Sequence, residues 1–349
     1  MRFLAPGSFS PSVDRWGRFE TLLAAAAARP SFVLADARVL ALHPPVARAI
    51  RGIPQVALRA GERAKSLRTL ERVAGAAIDV PRDATILAIG GGTIGDLSTV
   101  FAHLHKRGAT LIHVPTTVLA AVDSSVGGKG AVNIAGVKNA LGVFHAPLEG
   151  WICPEIYTTL SPAQHREGEA EAWKMAVTLD DQVFRTWRVA RPELSALIRT
   201  SRALKTAICV RDPYEQLGIR AALNFGHTFG HVIESLTGYR VRHGEEVGLG
   251  MLCALDVGRA AGVTSEGVAA EVEKRLPLGS NPRARLARAL SSERSVTRIR
   301  QLLRSDKKGA TSTHTRFVLL ERPGKWTLQN VEHRVWEASL SSWKKGLRR

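Results

Sequence analysis

Short, mainly apolar runs punctuate the first half of the chain. Residues 31–36 (SFVLAD) end on an acid, 84–90 (ATILAIG) enter a glycine turn, and 110–115 (TLIHVP) stop at a proline. Runs of four to seven apolar residues with helical stretches between them describe strands buried on both faces, and hence a parallel sheet covered by helices. Trp151-Ile152-Cys153 reads as the last strand of this half, and the alanine-rich 22–28 as a helix. Ser161-Pro162 then sets an N-cap residue before a proline at the first helical position. From there to about Arg304 the apolar spacing is helical. Residues 316–320 and 326–328 predict a minor hairpin around Pro323-Gly324, and 341–349 a frayed basic tail. The pattern predicts an α/β domain of nucleotide-binding type over 1–158 and a mainly helical domain over 159–349.

Composition narrows the class. A chain of 349 residues is long enough for two domains of ~150 residues. Its 49 basic against 31 acidic residues leave a charge of +18, which suits anionic partners of several kinds. Only 12 of the basic residues are lysines, and many arginines fall at 282–304 with helical spacing. A solvated helix face is the expectation there: no zinc-finger spacing and no aromatic strand platform support nucleic-acid binding. No apolar run approaches the ~18 residues of a membrane span, and Pro6, Gly7, Pro11 and Asp14 interrupt any secretory signal. Three scattered cysteines make neither a disulfide framework nor a cysteine zinc site. A cytoplasmic protein is expected.

Several clusters carry chemistry. Residues 90–96 (GGGTIGD) follow a strand and open a helix, where glycines let backbone N–H groups approach a pyrophosphate; a purely structural turn fits equally well. Asp36 ends a strand where a ribose hydroxyl could be held. Glu62 and Lys65 stand one helical turn apart, for which a surface ion pair is the plainer reading. The stretch ending Gly127-Gly128-Lys129 fails as a phosphate loop of the ATPase kind, because Asp123 and Gly130 occupy its required glycine and hydroxyl positions. Asp123, Lys129, Lys138 and Asn139 nonetheless concentrate polar groups on a glycine-rich segment suited to a phosphorylated, hydroxylated ligand. In the helical half, Glu171 and Lys174 share a helix face, and His227 and His231 are i, i+4, with His243 twelve residues on. Two imidazoles and a carboxylate make a three-ligand zinc site with an open position; satisfied buried histidines are the alternative. Arg220 and Asn224 add a fork donor for a carboxylate and an amide.

Taken in order, residues 90–96, Lys106-Arg107-Gly108, 113–129 (HVPTTVLAAVDSSVGGK), Lys138-Asn139, 168–174 (GEAEAWK), 212–220 (DPYEQLGIR), 223–234 (LNFGHTFGHVIE), His243-Gly244-Glu245 and Asp306-Lys307-Lys308 resemble the 3-dehydroquinate synthase family of sugar phosphate cyclases. The resemblance implies a Rossmann-like NAD-binding domain followed by a mainly helical metal- and substrate-binding domain. It implies that Glu171, His227 and His243 bind zinc, with cobalt possible. Asp36, Glu62, Lys65, Gly91, Gly92, Asp96, Thr116, Thr117 and Lys138 would hold NAD, with Asp123 and Lys129 beside it. Asp123, Lys129, Asn139, Lys174, Lys205, Arg220, Asn224, His231 and Lys307 or Lys308 would hold a phosphorylated, carboxylated sugar acid. Arg107 would reach the phosphate in the partner of a homodimer. Seven of the twelve lysines are among these assigned residues, as a compact ammonium requirement would dictate.

The implied reaction cyclises 3-deoxy-D-arabino-heptulosonate 7-phosphate to 3-dehydroquinate with loss of phosphate, a hydride leaving to NAD and returning within one turnover. The chain departs from the family pattern at Glu169, Trp173 and Gly130, in a short spacer between Lys174 and Lys205, and over its first thirty residues. An aminodehydroquinate synthase, a cyclase of uncarboxylated sugar phosphates, a metal-dependent polyol dehydrogenase and a basic interaction protein are the competing expectations.

Overall fold

The computed structural model describes residues 10–27, 29–238, 240–290, 295–305 and 313–345. The backbone divides into two compact units, one of residues 1–168 with 198–216 and the other of 169–197 with 217–349. The chain therefore changes unit three times, whereas the sequence suggested one junction at 158/159.

In the first unit, six parallel strands form a sheet. They are β1 (Val13–Trp16), β2 (Phe32–Asp36), β3 (Gln55–Leu58), β4 (Thr85–Gly90), β5 (Thr110–Pro115) and, after a hairpin, β8 (Glu149–Ile152). Their order is β1-β8-β5-β4-β2-β3. Alternate residues go to opposite faces, and both faces are buried. Phe32, Leu34, Ile86, Ala88 and Leu111 join one core with Ile94, Leu97 and Phe101 of helix Gly92–Leu104. Val33, Ala35, Leu87, Ile89, Ile112 and Val114 join the other with Phe19 and Trp151. This two-sided burial is why the strands read as continuous apolar runs.

The antiparallel hairpin of β6 (Lys129–Ile134) and β7 (Val137–Phe144) closes through Ala135 and Gly136, both at positive φ. Two successive positive-φ residues are the turn that matches strand twist. Sequence reading missed this hairpin, together with β1 and β3.

The second unit is mainly helical. Helix Pro162–Leu179 starts as expected: Ser161 Oγ accepts from Gln164 N–H at 3.3 Å while Gln164 Oε1 accepts from Ser161 N–H at 3.0 Å, a reciprocal cap. Helix His243–Ala260 is buried nearly all round from Gly244 to Gly258, which accounts for its apolar sequence. The expected hairpin is present as β9 (His314–Arg322) and β10 (Lys325–Glu332), followed by helix His333–Lys345. Among the described residues no helix is long and apolar enough to cross a membrane, and all three cysteines are free and buried.

The basic segment is more than a solvated face. Arg283 bridges Asp256 and Glu273, Arg285 pairs with Glu245 at 3.1 Å, and Arg300 pairs with Glu337 at 2.5 Å. Neighbouring carboxylates thus draw these guanidinium groups back onto the protein.

Candidate active site

In the helical unit, Glu171 and Lys174 form a fully buried ion pair one turn apart on helix Pro162–Leu179. His227 and His243 are the first residues of helices His227–Leu236 and His243–Ala260. Glycines bring those helices together. A Cβ on Gly226, which is left-handed at φ 83°, would stand 2.8 Å from both Met251 N and Val247 O, and one on Gly250 would stand 2.7 Å from Gly230 N. Backbone-to-backbone contact of this kind requires the absence of a side chain.

The result is a compact donor set. His243 Nε2 lies 3.0 Å and His227 Nε2 3.5 Å from Glu171 Oε1, and the three ligand atoms lie within 4.8 Å of one another. Ligands ~2.1 Å from a tetrahedral ion stand about 3.4 Å apart, so the spacing fits a zinc-sized cation. Protonation states fit as well. Burial alone would raise the Glu171 carboxyl, but Lys174, His227 and His243 around it hold it well below the usual carboxylate range. Burial first, then the Lys174 ammonium, pushes His227 down to about 3, leaving a neutral imidazole. An anionic carboxylate and a neutral imidazole are the metal-binding forms. His231, exposed one turn along, stands with its ring centre 5.7 Å from that of His227. Arg220 is buried and Asn224 exposed, on the short helical turn Ile219–Asn224 that a left-handed Gly218 opens.

In the sheet unit, strand order reverses beside β2 and β4, the switch point where open α/β sheets bind ligands. Asp36 ends β2 and caps the next helix, its carboxylate accepting from Arg38 N–H at 3.0 Å. Gly91 caps helix Gly92–Leu104 after β4; a Cβ there would lie 3.2 Å from Thr117, and one on Gly92 3.3 Å from Ser124. Thr116, buried after β5, donates its N–H to Gly90 O at 3.0 Å. Thr117 Oγ1 accepts from Ala120 N–H at 3.1 Å.

Glu62 and Lys65 are not partners in a surface pair. Lys65 is buried, 2.6 Å from Asp96 Oδ2, and donates to Asn139 Oδ1 at 2.5 Å. Glu62 instead accepts from Asn133 Nδ2 at 2.8 Å, and Asn133 Oδ1 accepts from Asn139 N–H at 2.8 Å. Asn139 thus joins the residues expected at NAD. Asn133 was missed: an amide inside a hairpin strand carries no local signal. Burial, outweighing Lys65, raises the Asp96 carboxyl.

A second group in this unit surrounds a π-helical turn, Ala120–Ser124. Lys205, on helix Leu194–Arg211, donates to both Asp123 O and Asp123 Oδ1 at 2.7 Å. Lys129 pairs with Glu215 at 2.6 Å, a contact the sequence did not suggest because 86 positions separate them. Lys138 is exposed on β7. Arg107 is exposed at φ 73°, between Lys106 at φ 45° and Gly108 at φ 120°. Lys307 and Lys308 lie outside the described residues.

The departures have physical reasons. A Cβ on Gly130 would stand 2.8 Å from Asp96 O, so a threonine has no room there. Glu169 pairs with Arg191, and Trp173 packs edge-on against Phe184 and Trp187.

A solved 2-deoxy-scyllo-inosose synthase, described in complex with carbaglucose-6-phosphate, NAD+ and Co2+, has the same fold: TM-score 0.81 over 95% of this chain and 99% of that one, at 22% identity. The profile of the 3-dehydroquinate synthase N-terminal domain matches residues 55–167 and that of the C-terminal domain residues 168–309. The 3-dehydroquinate synthase of Pyrobaculum neutrophilum is 36% identical over 83% of this chain and 84% of its own. That of Methylacidiphilum infernorum is 42% identical over 56% of each chain. A 2-epi-valiolone synthase of Actinosynnema mirum is 37% identical over 75% of this chain and 72% of its own. The chain belongs to the 3-dehydroquinate synthase family, enzymes of the phosphate-eliminating cyclase class.

Proposed function

We propose that this chain is a 3-dehydroquinate synthase, converting 3-deoxy-D-arabino-heptulosonate 7-phosphate to 3-dehydroquinate and inorganic phosphate with NAD and a divalent ion, zinc or cobalt. The observation that carries the reading is the Glu171–His227–His243 cluster beside buried Lys174. The NAD+ and Co2+ of the solved relative with this fold support both cofactors. When bound, NAD supplies a hydride acceptor and donor and the ion a Lewis acid.

In this reading Glu171, His227 and His243 hold the ion, and the Lys174 ammonium, ion-paired with the second oxygen of Glu171, orients that carboxylate. Asp36, Glu62, Lys65, Gly91, Gly92, Asp96, Thr116, Thr117 and Lys138 hold NAD, with Asn139 fixing Lys65 and Asn133 fixing Glu62. Asp123, Lys129 and Lys205 bind substrate hydroxyl and phosphate oxygens, and His231 moves the proton of a ring hydroxyl. Arg220, with Asn224, takes the substrate carboxylate, since a guanidinium forks onto its two oxygens. Lys307 or Lys308 adds charge to the phosphate. The chain acts as a cytoplasmic homodimer in which the left-handed corner at 106–108 presents Arg107 to the partner's phosphate. It needs neither nucleic acid nor membrane.

The similarity to a 2-epi-valiolone synthase supports a second reading, a cyclase of an uncarboxylated sugar phosphate. An aminodehydroquinate synthase would share the carboxylate contacts, whereas a polyol dehydrogenase would release NADH. Phosphate release is therefore measured with the heptulosonate phosphate, its amino analogue, sedoheptulose 7-phosphate and glucose 6-phosphate. The heptulosonate phosphate is expected to react fastest without net NADH accumulation; fastest turnover of sedoheptulose 7-phosphate or of the amino analogue would replace this reading with the corresponding cyclase.

A further inference from the structure

Helix Leu194–Arg211 turns two cations toward the π-helical turn Ala120–Ser124. Lys205 is one; three residues earlier on the same face stands Arg202. Arg202 is 1% exposed, yet four hydrogen bonds engage its guanidinium. Its Nε and Nη2 donate to the two oxygens of Asp14, at 2.8 and 2.5 Å, and its Nη1 to Ala121 O at 2.7 Å and Ser125 Oγ at 2.9 Å. Ala121 and Ser125 lie two residues to either side of Asp123, the residue that Lys205 holds by its carbonyl and carboxylate. One helix face therefore grips the turn at 121, 123 and 125.

Two more positions fit the same arrangement. Asp14 comes from β1, in the part of the chain least like the family pattern, and neutralises a guanidinium whose Nε and Nη2 would otherwise lose their partner in the interior. Gly150, inside β8, leaves the space that the pair occupies: a Cβ there would collide with Arg202 Nη2 and stand 3.0 Å from Asp14 Oδ1. Glycine within a strand marks such a close approach.

We infer that Arg202, locked by Asp14, is a positioning residue that sets Asp123 and Lys205 for the substrate contacts assigned to them above, on which this inference rests. It touches no reacting atom. Its effect passes through the backbone of the 121–125 turn, so it governs how well Lys205 and Asp123 meet substrate, and it loses its purpose when Lys205 is gone.

The test is a kinetic cycle on phosphate release by the full-length, NAD- and metal-loaded protein, using whichever sugar phosphate of the panel the wild type consumes. Arg202→Met should raise KM about tenfold, with a smaller change in kcat, and Arg202→Lys should recover part of it. In a Lys205→Met background the same Arg202→Met change should alter KM less than about twofold. Equal KM effects in both backgrounds would overturn the inference and reduce Arg202 to a structural residue. Should Arg202→Met fail to fold, Asp14→Asn keeps the guanidinium, removes its charge partner and is expected to reproduce the KM effect; an unchanged KM would refute the clamp. A wild type that releases phosphate from none of the four sugar phosphates refutes the proposed function, a different outcome from an active wild type with an additive cycle.

Discussion

Two buried lysines, one in each unit, sit on carboxylates, and the two carboxylates respond in opposite ways. Asp96, with Lys65, is raised above its ordinary value, because burial outweighs the Lys65 and Lys205 ammonium groups and nearby Glu62 opposes ionisation. Glu171 is more deeply buried and yet is driven down, because Lys174, His227 and His243 all face it. The number of cationic and donor partners, rather than depth, decides which carboxylate stays an anion. The helical unit thereby keeps its carboxylate anionic, the form the proposed ligand role requires, while burial in the sheet unit disfavours the charged form of Asp96.

The largest effect is expected from Glu171→Gln. It removes the only carboxylate of the cluster and should lower phosphate release by about three orders of magnitude, with metal content per chain, read by atomic absorption, falling to near zero. Retained metal would contradict the assigned ligand set. Next comes Gly250→Ala, which forces apart the two helices that begin with His227 and His243. A loss of about 3 kcal/mol in denaturant unfolding, with weakened zinc affinity, is expected. Unchanged affinity would mean that the helix contact does not set the ligand spacing.

On the sheet side, Lys65→Met should weaken NAD binding by about thirtyfold in calorimetry while leaving metal content intact. A loss of metal instead would show that the two carboxylates are not independent.

The smallest effect concerns pH. Burial, and then the Lys174 ammonium, push His227 down from its ordinary 6.5 to about 3. Between those values the unfolded chain binds a proton that the folded chain refuses, so stability falls as pH falls, by about 1.4 kcal/mol per pH unit for this group. His113, buried in the sheet unit and also pushed down to about 3 by its burial, adds the same slope. Unfolding of chelator-treated protein at pH 7 and pH 5 should show His227→Gln removing about half of the combined slope.

What the sequence made legible follows from these physical arrangements. The strands at 32–36, 85–90 and 110–115 were readable because both faces are covered, so most positions are apolar. Strands β1 and β3 are short, and their partly exposed patterns look like loop. The β6–β7 hairpin was hidden by the polar residues that make it interesting, Lys129, Asn133, Lys138 and Asn139. Glu171 with Lys174 was readable as a helical spacing, whereas His243 meets Glu171 and His227 from a separate helix, and that set of three was indicated by the family resemblance. Lys65 with Asp96, Lys129 with Glu215 and Arg202 with Asp14 were not, because no local pattern links residues so far apart.

The detour of residues 198–216 into the first unit bears on how the protein is made. Asp14 leaves the ribosome 188 positions ahead of Arg202, which at ordinary synthesis rates is a wait of roughly ten to forty seconds. For that interval Asp14 has no guanidinium partner, and once β8 has been made the sheet must persist without its anchoring helix until Arg202 follows. A fragment stopped at residue 168 would remain in that condition permanently, so excising the sheet half as one continuous piece is expected to yield a protein with an unsecured edge.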